Sequence, residues 1–88
     1  MFYVTMTDRF LGGWGMARDK INKLILPCET LKEAEIVAQN AADRSEMKYI
    51  NICETKPYYN PRRYCVSWHD KTDYGTWYKP SRPFKRDN

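Results

Sequence analysis

The sequence predicts one α+β domain, an antiparallel sheet of about four strands with one helix packed on it, in the order β-β-α-β-β. Three observations carry this: period-two alternation in four separate stretches, one stretch of 3.6-residue periodicity between the second and third of them, and a length of 88 residues, which leaves room for a single thin core.

Phe2, Val4 and Met6 alternate with Tyr3, Thr5 and Thr7, the pattern of a strand with one apolar face. Residues 8–20 place Gly12, Gly13 and Gly15 around Trp14, and glycines so dense break regular structure, so a long loop or an irregular hairpin tip is expected. Trp14 has two readings: a lid folded back on a thin core, or an exposed aromatic contact. The loop does not end in the Gly-Lys-Ser/Thr of a phosphate-binding loop, and it leads into a strand rather than a helix. That second strand is Ile21–Cys28, with Leu24, Leu26 and Cys28 on one face and Ile21 and Ile25 on the other. Both faces are therefore expected to be covered, while Pro27 favours an edge or a strand end.

Thr30 followed by Glu33 is a capping-box pattern, in which hydroxyl and carboxylate satisfy the unpaired N–H groups of a helix start. From Leu31 a stripe of Leu31, Ala34, Ala38, Ala41 and Ala42, flanked by Val37, is small enough to lie close against a sheet, with Ile36 pointing away. Lys48–Glu54 alternates again, Ile50 and Ile52 against Tyr49, Asn51 and Cys53. Two prolines and an asparagine make Lys56–Arg63 a turn, and Tyr64–His69 resumes alternation with Tyr64, Val66 and Trp68 together. Asp70–Tyr78 is expected to form a short further hairpin arm through Gly75. The domain is thus expected over residues 1–78, followed at 79–88 by a basic, flexible tail with two prolines and four basic residues.

Composition narrows the function classes. Hydrophobic residues make up 42% and aromatic residues 15% of the chain, enough burial to argue against disorder. No apolar run approaches the ~18 residues that span a bilayer, and Met1–Met6 lacks the charge and length of a signal peptide. The expectation is a soluble, cytoplasmic protein. Cys28, Cys53 and Cys65 are then reduced packing residues rather than a disulfide framework. With His69 they do not make a zinc site. The one close pair, Cys65 and His69, would sit on a strand with Cα atoms ~13 Å apart at ~3.3 Å per residue.

His69 lacks a partner set for acid–base or nucleophilic work, since strand alternation turns Asp70 away from it. Glu33, Glu35, Asp70 and Asp73 fall in cap or turn contexts. The chain is therefore expected to be no enzyme and to need no cofactor.

Charge is uneven. Residues 1–55 hold seven basic and eight acidic side chains, a balance of −1, and residues 56–88 hold eight basic and three acidic, a balance of +5. In that second part Tyr58, Tyr59, Tyr64, Trp68, Tyr74, Trp77, Tyr78 and Phe84 interleave with Lys56, Arg62, Arg63, Lys71, Lys79, Arg82, Lys85 and Arg86. Rings that stack on bases beside cations that track phosphates are the physics of single-stranded nucleic-acid binding. The same residue types are enriched in protein–protein hot spots. The expected partner-binding residues are Tyr58, Tyr59, Arg62, Arg63, Trp77, Lys79 and Trp14. A plain alternative has Tyr64 and Trp68 in the core and the basic tail serving solubility.

The stretches Tyr3-Val4-Thr5-Met6-Thr7-Asp8, Gly13-Trp14-Gly15, Lys48-Tyr49-Ile50-Asn51-Ile52-Cys53 and Lys56-Pro57-Tyr58-Tyr59-Asn60 resemble a group of small uncharacterised proteins encoded by tailed bacteriophages and prophages. The resemblance spans most of residues 3–78 and implies a genomic setting, with no functional residues to transfer. Small phage proteins without catalytic residues commonly occlude a host machine, and by fold-level analogy this suggests an inhibitor of a host defence complex of the anti-CRISPR type. Partners expected on this footing are such a complex, for instance a CRISPR effector, or a nucleic acid, met in the cytoplasm of an infected or lysogenic bacterium. A nucleic-acid-binding phage accessory protein and a virion assembly protein are the alternative readings.

Overall fold

A computed structural model describes residues 1–9 and 20–80; the expected glycine loop with Trp14, and residues 81–88 of the expected tail, lie outside them. The elements are β1 (Phe2–Asp8), β2 (Ile21–Cys28), α1 (Leu31–Ala42), β3 (Met47–Cys53), β4 (Tyr64–Trp68) and a short 3-10 helix at Gly75–Tyr78. The α+β class, the four strands and the single helix agree with expectation. The strands lie in the order β3-β1-β2-β4, which departs from their order along the chain. The fully antiparallel sheet is corrected too: β1 is antiparallel to β2 and β3, but β2 and β4 run parallel.

Both edge strands therefore run in the same direction on opposite sides of the sheet. Each connection that reaches them has to cross a face. The helix makes the first crossing, from β2 over β1 to β3. The second, residues 54–63, has no helix. Ten extended residues reach roughly 33 Å, enough to return along a short strand and step across three strand spacings of about 4.8 Å.

The main core lies between sheet and helix. Val4 and Met6 of β1 and Leu24, Leu26 and Cys28 of β2 meet Ala34, Val37 and Ala41 of α1. Burial pushes the Cys28 thiol up to about 11, so it stays neutral and packs as a small apolar group. Leu31 and Ala42, at the two ends of the expected stripe, are exposed, so the middle of the helix makes the contact. The helix starts as expected: the Thr30 hydroxyl accepts from the Glu33 N–H at 3.1 Å. The reciprocal bond lands one residue earlier than a capping box would place it, on the Glu29 N–H, at 2.8 Å.

Of the two positions expected for Pro27, the strand end holds and the edge does not: it is the penultimate residue of β2, an inner strand. The proline is tolerated because β4 ends at Trp68 opposite Ile25, which leaves Pro27 beyond the parallel ladder. Asp70–Tyr78 is likewise not a hairpin arm. It is a turn and the 3-10 helix, folded onto the helix layer. Trp77 and Tyr78 close the core there. The buried Asn40 amide of α1 donates to the carbonyls of Trp77 at 2.7 Å and Lys79 at 2.8 Å. Tyr78 donates to the Pro27 carbonyl at 2.7 Å; burial holds that hydroxyl protonated, far above the usual tyrosine range. Lys71 Nζ lies 2.7 Å from Glu33 Oε2 and ties the turn to the helix start. Among the described residues no helix is long and apolar enough to cross a membrane.

Asn40→Ala should lower unfolding stability by about 1–3 kcal/mol in urea titrations, because the buried Trp77 carbonyl and the part-buried Lys79 carbonyl lose their donor. Glu33 is held below the usual carboxylate range, first by the hydrogen bond from Lys71 and then by the Glu29 N–H. Its contribution is full above the unfolded-state glutamate value and fades as pH falls through the lower folded value. Glu33→Gln should therefore cost about 0.5–1 kcal/mol at pH 7, and the gap to the parent protein should close as unfolding is repeated at successively lower pH through the acid range.

Candidate functional site

Strand alternation places Tyr3, Thr5 and Thr7 of β1 on the face of the sheet away from the helix. Register adds Ile21, Lys23 and Ile25 of β2, Tyr64, Val66 and Trp68 of β4, and Asn51 and Cys53 of β3. Thr5 and Ile25 at its centre are fully buried, so something covers them. Segment 54–63 crosses here. The Tyr59 ring packs on Tyr64 with centroids 5.0 Å apart and faces Lys23 Nζ at 5.3 Å. Lys56 Nζ lies 5.5 Å from the Trp68 ring, and Tyr3 meets Trp68 edge-on at 6.1 Å. Among the described residues, these rings and lysine stems are what lies over this face. Trp68 accordingly stays 43% exposed, and Tyr58, beside Tyr59, is 81% exposed.

β3 reaches this face through an irregularity. Thr5 pairs with Asn51 and Thr7 with Lys48, so Tyr49 and Ile50 together oppose Met6, which is a β-bulge. Tyr49 adopts φ 56°, a left-handed conformation that costs a non-glycine residue about 1 kcal/mol, and its side chain is 74% exposed. The bulge keeps Lys48 and Asn51 on one face and lets Ile50 pack against the core.

The sheet also divides charge. Lys23, Lys48, Lys56, Arg62 and Arg63 lie on this face or in the segment that crosses it, where Glu54 is the one acidic residue among those described. The helix layer holds Glu29, Glu33, Glu35, Asp43, Glu46, Asp70 and Asp73, and the ion pairs Arg44–Glu46, His69–Asp73 and Lys71–Glu33 belong to it. Lys56, Arg62 and Arg63 are exposed. Lys23 differs, being 8% exposed. Its Nζ donates to Thr7 Oγ1 at 2.9 Å, and burial pulls its ammonium below the ordinary lysine range, with Cys53 opposing.

Of the expected contact residues, Tyr58, Tyr59, Arg62 and Arg63 share the crossing segment. Trp77 does not join them: it is 7% exposed, within the core of the opposite layer, with the Arg44 guanidinium 4.8 Å from its ring. Lys79 sits beside it, its carbonyl accepting from Asn40. Trp14 lies outside the described residues. Tyr3 and Lys23 were not singled out by the sequence reading. Lys23 had a signal, since Ile21-x-Lys23-x-Ile25 places a lysine between two isoleucines on one strand face.

His69 does find an orienting carboxylate, though not Asp70. Its Nδ1 lies 2.8 Å from Asp73 Oδ2, and the ring stacks on Tyr74 at 4.2 Å. Asp73 Oδ1 also accepts from the Asp70 N–H at 3.0 Å, and Asp70 Oδ1 accepts from the Thr72 N–H at 2.9 Å. The pair is thus woven into the bonds that hold the turn. Among the described residues no group of three or more histidine, cysteine, aspartate or glutamate side chains is placed to hold a metal ion.

Comparison with protein-family models, with curated proteins and with solved structures finds no match.

The two adjacent tyrosines should separate cover from contact. Tyr59→Ala removes part of the lid over Lys23 and should lower stability by about 1–2 kcal/mol. Tyr58→Ala, fully in solvent, should stay within about 0.5 kcal/mol of the parent in the same urea titration.

Proposed function

We propose that the chain works by binding rather than by catalysis, and that its partner meets the second sheet face around Tyr58, Tyr59, Arg62 and Arg63, with Trp68 and Lys56 beside them. The observation that carries this reading is the division of charge by the sheet: cations outnumber carboxylates among the described residues of one face, where exposed rings join them, while on the helix side carboxylates outnumber Lys32, Arg44, Lys71 and Lys79. A face of this kind suits an anionic partner. Resemblance to small tailed-phage proteins supplies the setting, in which the chain inhibits a host defence complex of the anti-CRISPR type by occluding one of its surfaces in the bacterial cytoplasm. A nucleic-acid-handling effector is the favoured target.

A second reading, direct binding of single-stranded nucleic acid, is favoured by one specific arrangement. Trp68 presents a partly open ring with the Lys56 ammonium 5.5 Å from its centroid, and Tyr58 stands free nearby in sequence. Bases stack on such rings while lysines meet phosphates.

The double variant Arg62→Glu/Arg63→Glu tests the face. Both residues are exposed in a turn, so stability should change by less than about 0.5 kcal/mol. The parent protein should co-elute from a sizing column with a host defence complex, and the variant should not. If the ligand is single-stranded nucleic acid, log K should fall with log salt by roughly 0.7 per phosphate engaged. Failure to bind either class, or equal binding by the double variant, would overturn the assignment of this face.

A further inference from the structure

Lys23 has no structural explanation that matches its setting. An ammonium has three donors. Among the described residues Lys23 Nζ meets one acceptor, the Thr7 hydroxyl at 2.9 Å, and one ring, Tyr59 at 5.3 Å. Among the described residues no carboxylate pairs with it. Its strand neighbours on the same face, Ile21 and Ile25, show which side chains the position otherwise favours. Burying a charge without a counter-charge is unfavourable, and a methionine would fill the same volume without that penalty. Places where a sequence breaks a local rule with no gain in packing are where binding or chemistry is to be sought.

The surroundings say what would complete the site. Lys23 lies on the sheet face crossed by the segment that holds Lys56, Arg62 and Arg63, so a partner that completes the site is an anion. The open ring of Trp68 lies on the same face and suits a planar base, Tyr58 is exposed in the segment that crosses it, and lysine binds phosphate as a point charge. We propose that Lys23, with the Thr7 hydroxyl beside it and Tyr59 as its cover, forms a phosphate subsite that takes a backbone phosphate of single-stranded nucleic acid. This rests on the second sheet face being the binding surface and, within that, on its nucleic-acid reading. Tyr59, 5.3 Å from the ammonium, lies in a segment without regular structure, and access of a phosphate requires that ring to move aside.

The test uses the full chain, a fluorescent single-stranded decathymidylate and inorganic phosphate as probes, with Lys23→Met beside Lys23→Arg. Lys23→Met should melt at or above the temperature of the parent protein, bind the decathymidylate at least tenfold more weakly, and show a salt slope shallower by about 0.7, one phosphate fewer. Lys23→Arg should retain most of the affinity. Inorganic phosphate should compete with the oligonucleotide on the parent protein and less on Lys23→Met. A lower melting temperature for Lys23→Met would make the lysine structural and overturn the subsite, as would unchanged affinity. Binding of inorganic phosphate alone, sensitive to Lys23→Met but with no oligonucleotide binding, would support a phosphate site and overturn its assignment to a strand. If Arg62→Glu/Arg63→Glu weakens the oligonucleotide and Lys23→Met does not, the face stands and the subsite fails. If neither variant changes binding, both fail.

Discussion

The placement of two parallel strands at opposite edges of a four-stranded sheet governs the rest of this molecule. With β3 and β4 running the same way and β1 and β2 between them, no tight turn can join the edges, and each crossing covers one face. The inner pair is then buried on both sides, which is why β2 holds an almost unbroken run of buried residues from Asn22 to Leu26. Among the described residues one α-helix serves two faces. The other face is crossed by an extended segment whose side chains lie over it.

The two layers differ physically as a result. On the helix side, alanines bring backbone close to the sheet, and the gaps at the ends are filled by Met47, Trp77 and Tyr78. Polar groups there are satisfied in pairs, as with Asn40 and the carbonyls of Trp77 and Lys79. On the other side a few large rings do the covering, and a ring lying over a sheet always turns one surface outward. Tyr59, packed on Tyr64 and over Lys23, and Trp68, paired with Ile25, lie over the strands and at the same time turn outward. Aromatic exposure is therefore a geometric consequence of a helix-free crossing, and placing arginines in the same segment makes the exposed layer basic.

How much of this the sequence carried depends on the range of the interaction. The strands and the helix were legible because alternation and the Thr30–Glu33 cap are local. Which strands pair is not local: Tyr64–Trp68 alternates identically whether it lies parallel or antiparallel, and its seat beside β2 is settled by the length of segment 54–63. Pro27 pointed to an edge or a strand end because proline cannot join a ladder, and the strand end is what holds, since β2 outruns β4 there. Tyr49 gave no warning of a bulge, since the residue forced into the left-handed region is not glycine. The aromatic and basic run after Lys56 reads as one feature in sequence, yet the sheet splits it. Residues up to Trp68 form one layer, and Tyr74, Trp77 and Tyr78 are drawn into the other by Asn40 and Pro27, groups far away along the chain.

That split bears on how binding and stability are related here. A thick domain can keep its contact residues apart from its core, because cover and core are different layers. Here Tyr59 and Trp68 belong to both, so a partner that grips them pulls on the cover of Thr5 and Ile25, while Tyr58, Arg62 and Arg63 are free of that duty. Lys23 stands at the opposite extreme, a charge placed under the cover where an apolar stem would pack as well. On the proposed reading the face is graded from its turn, where sequence can vary without loss of fold, inward to a strand position where a charge meets only a hydroxyl and a ring among the described residues.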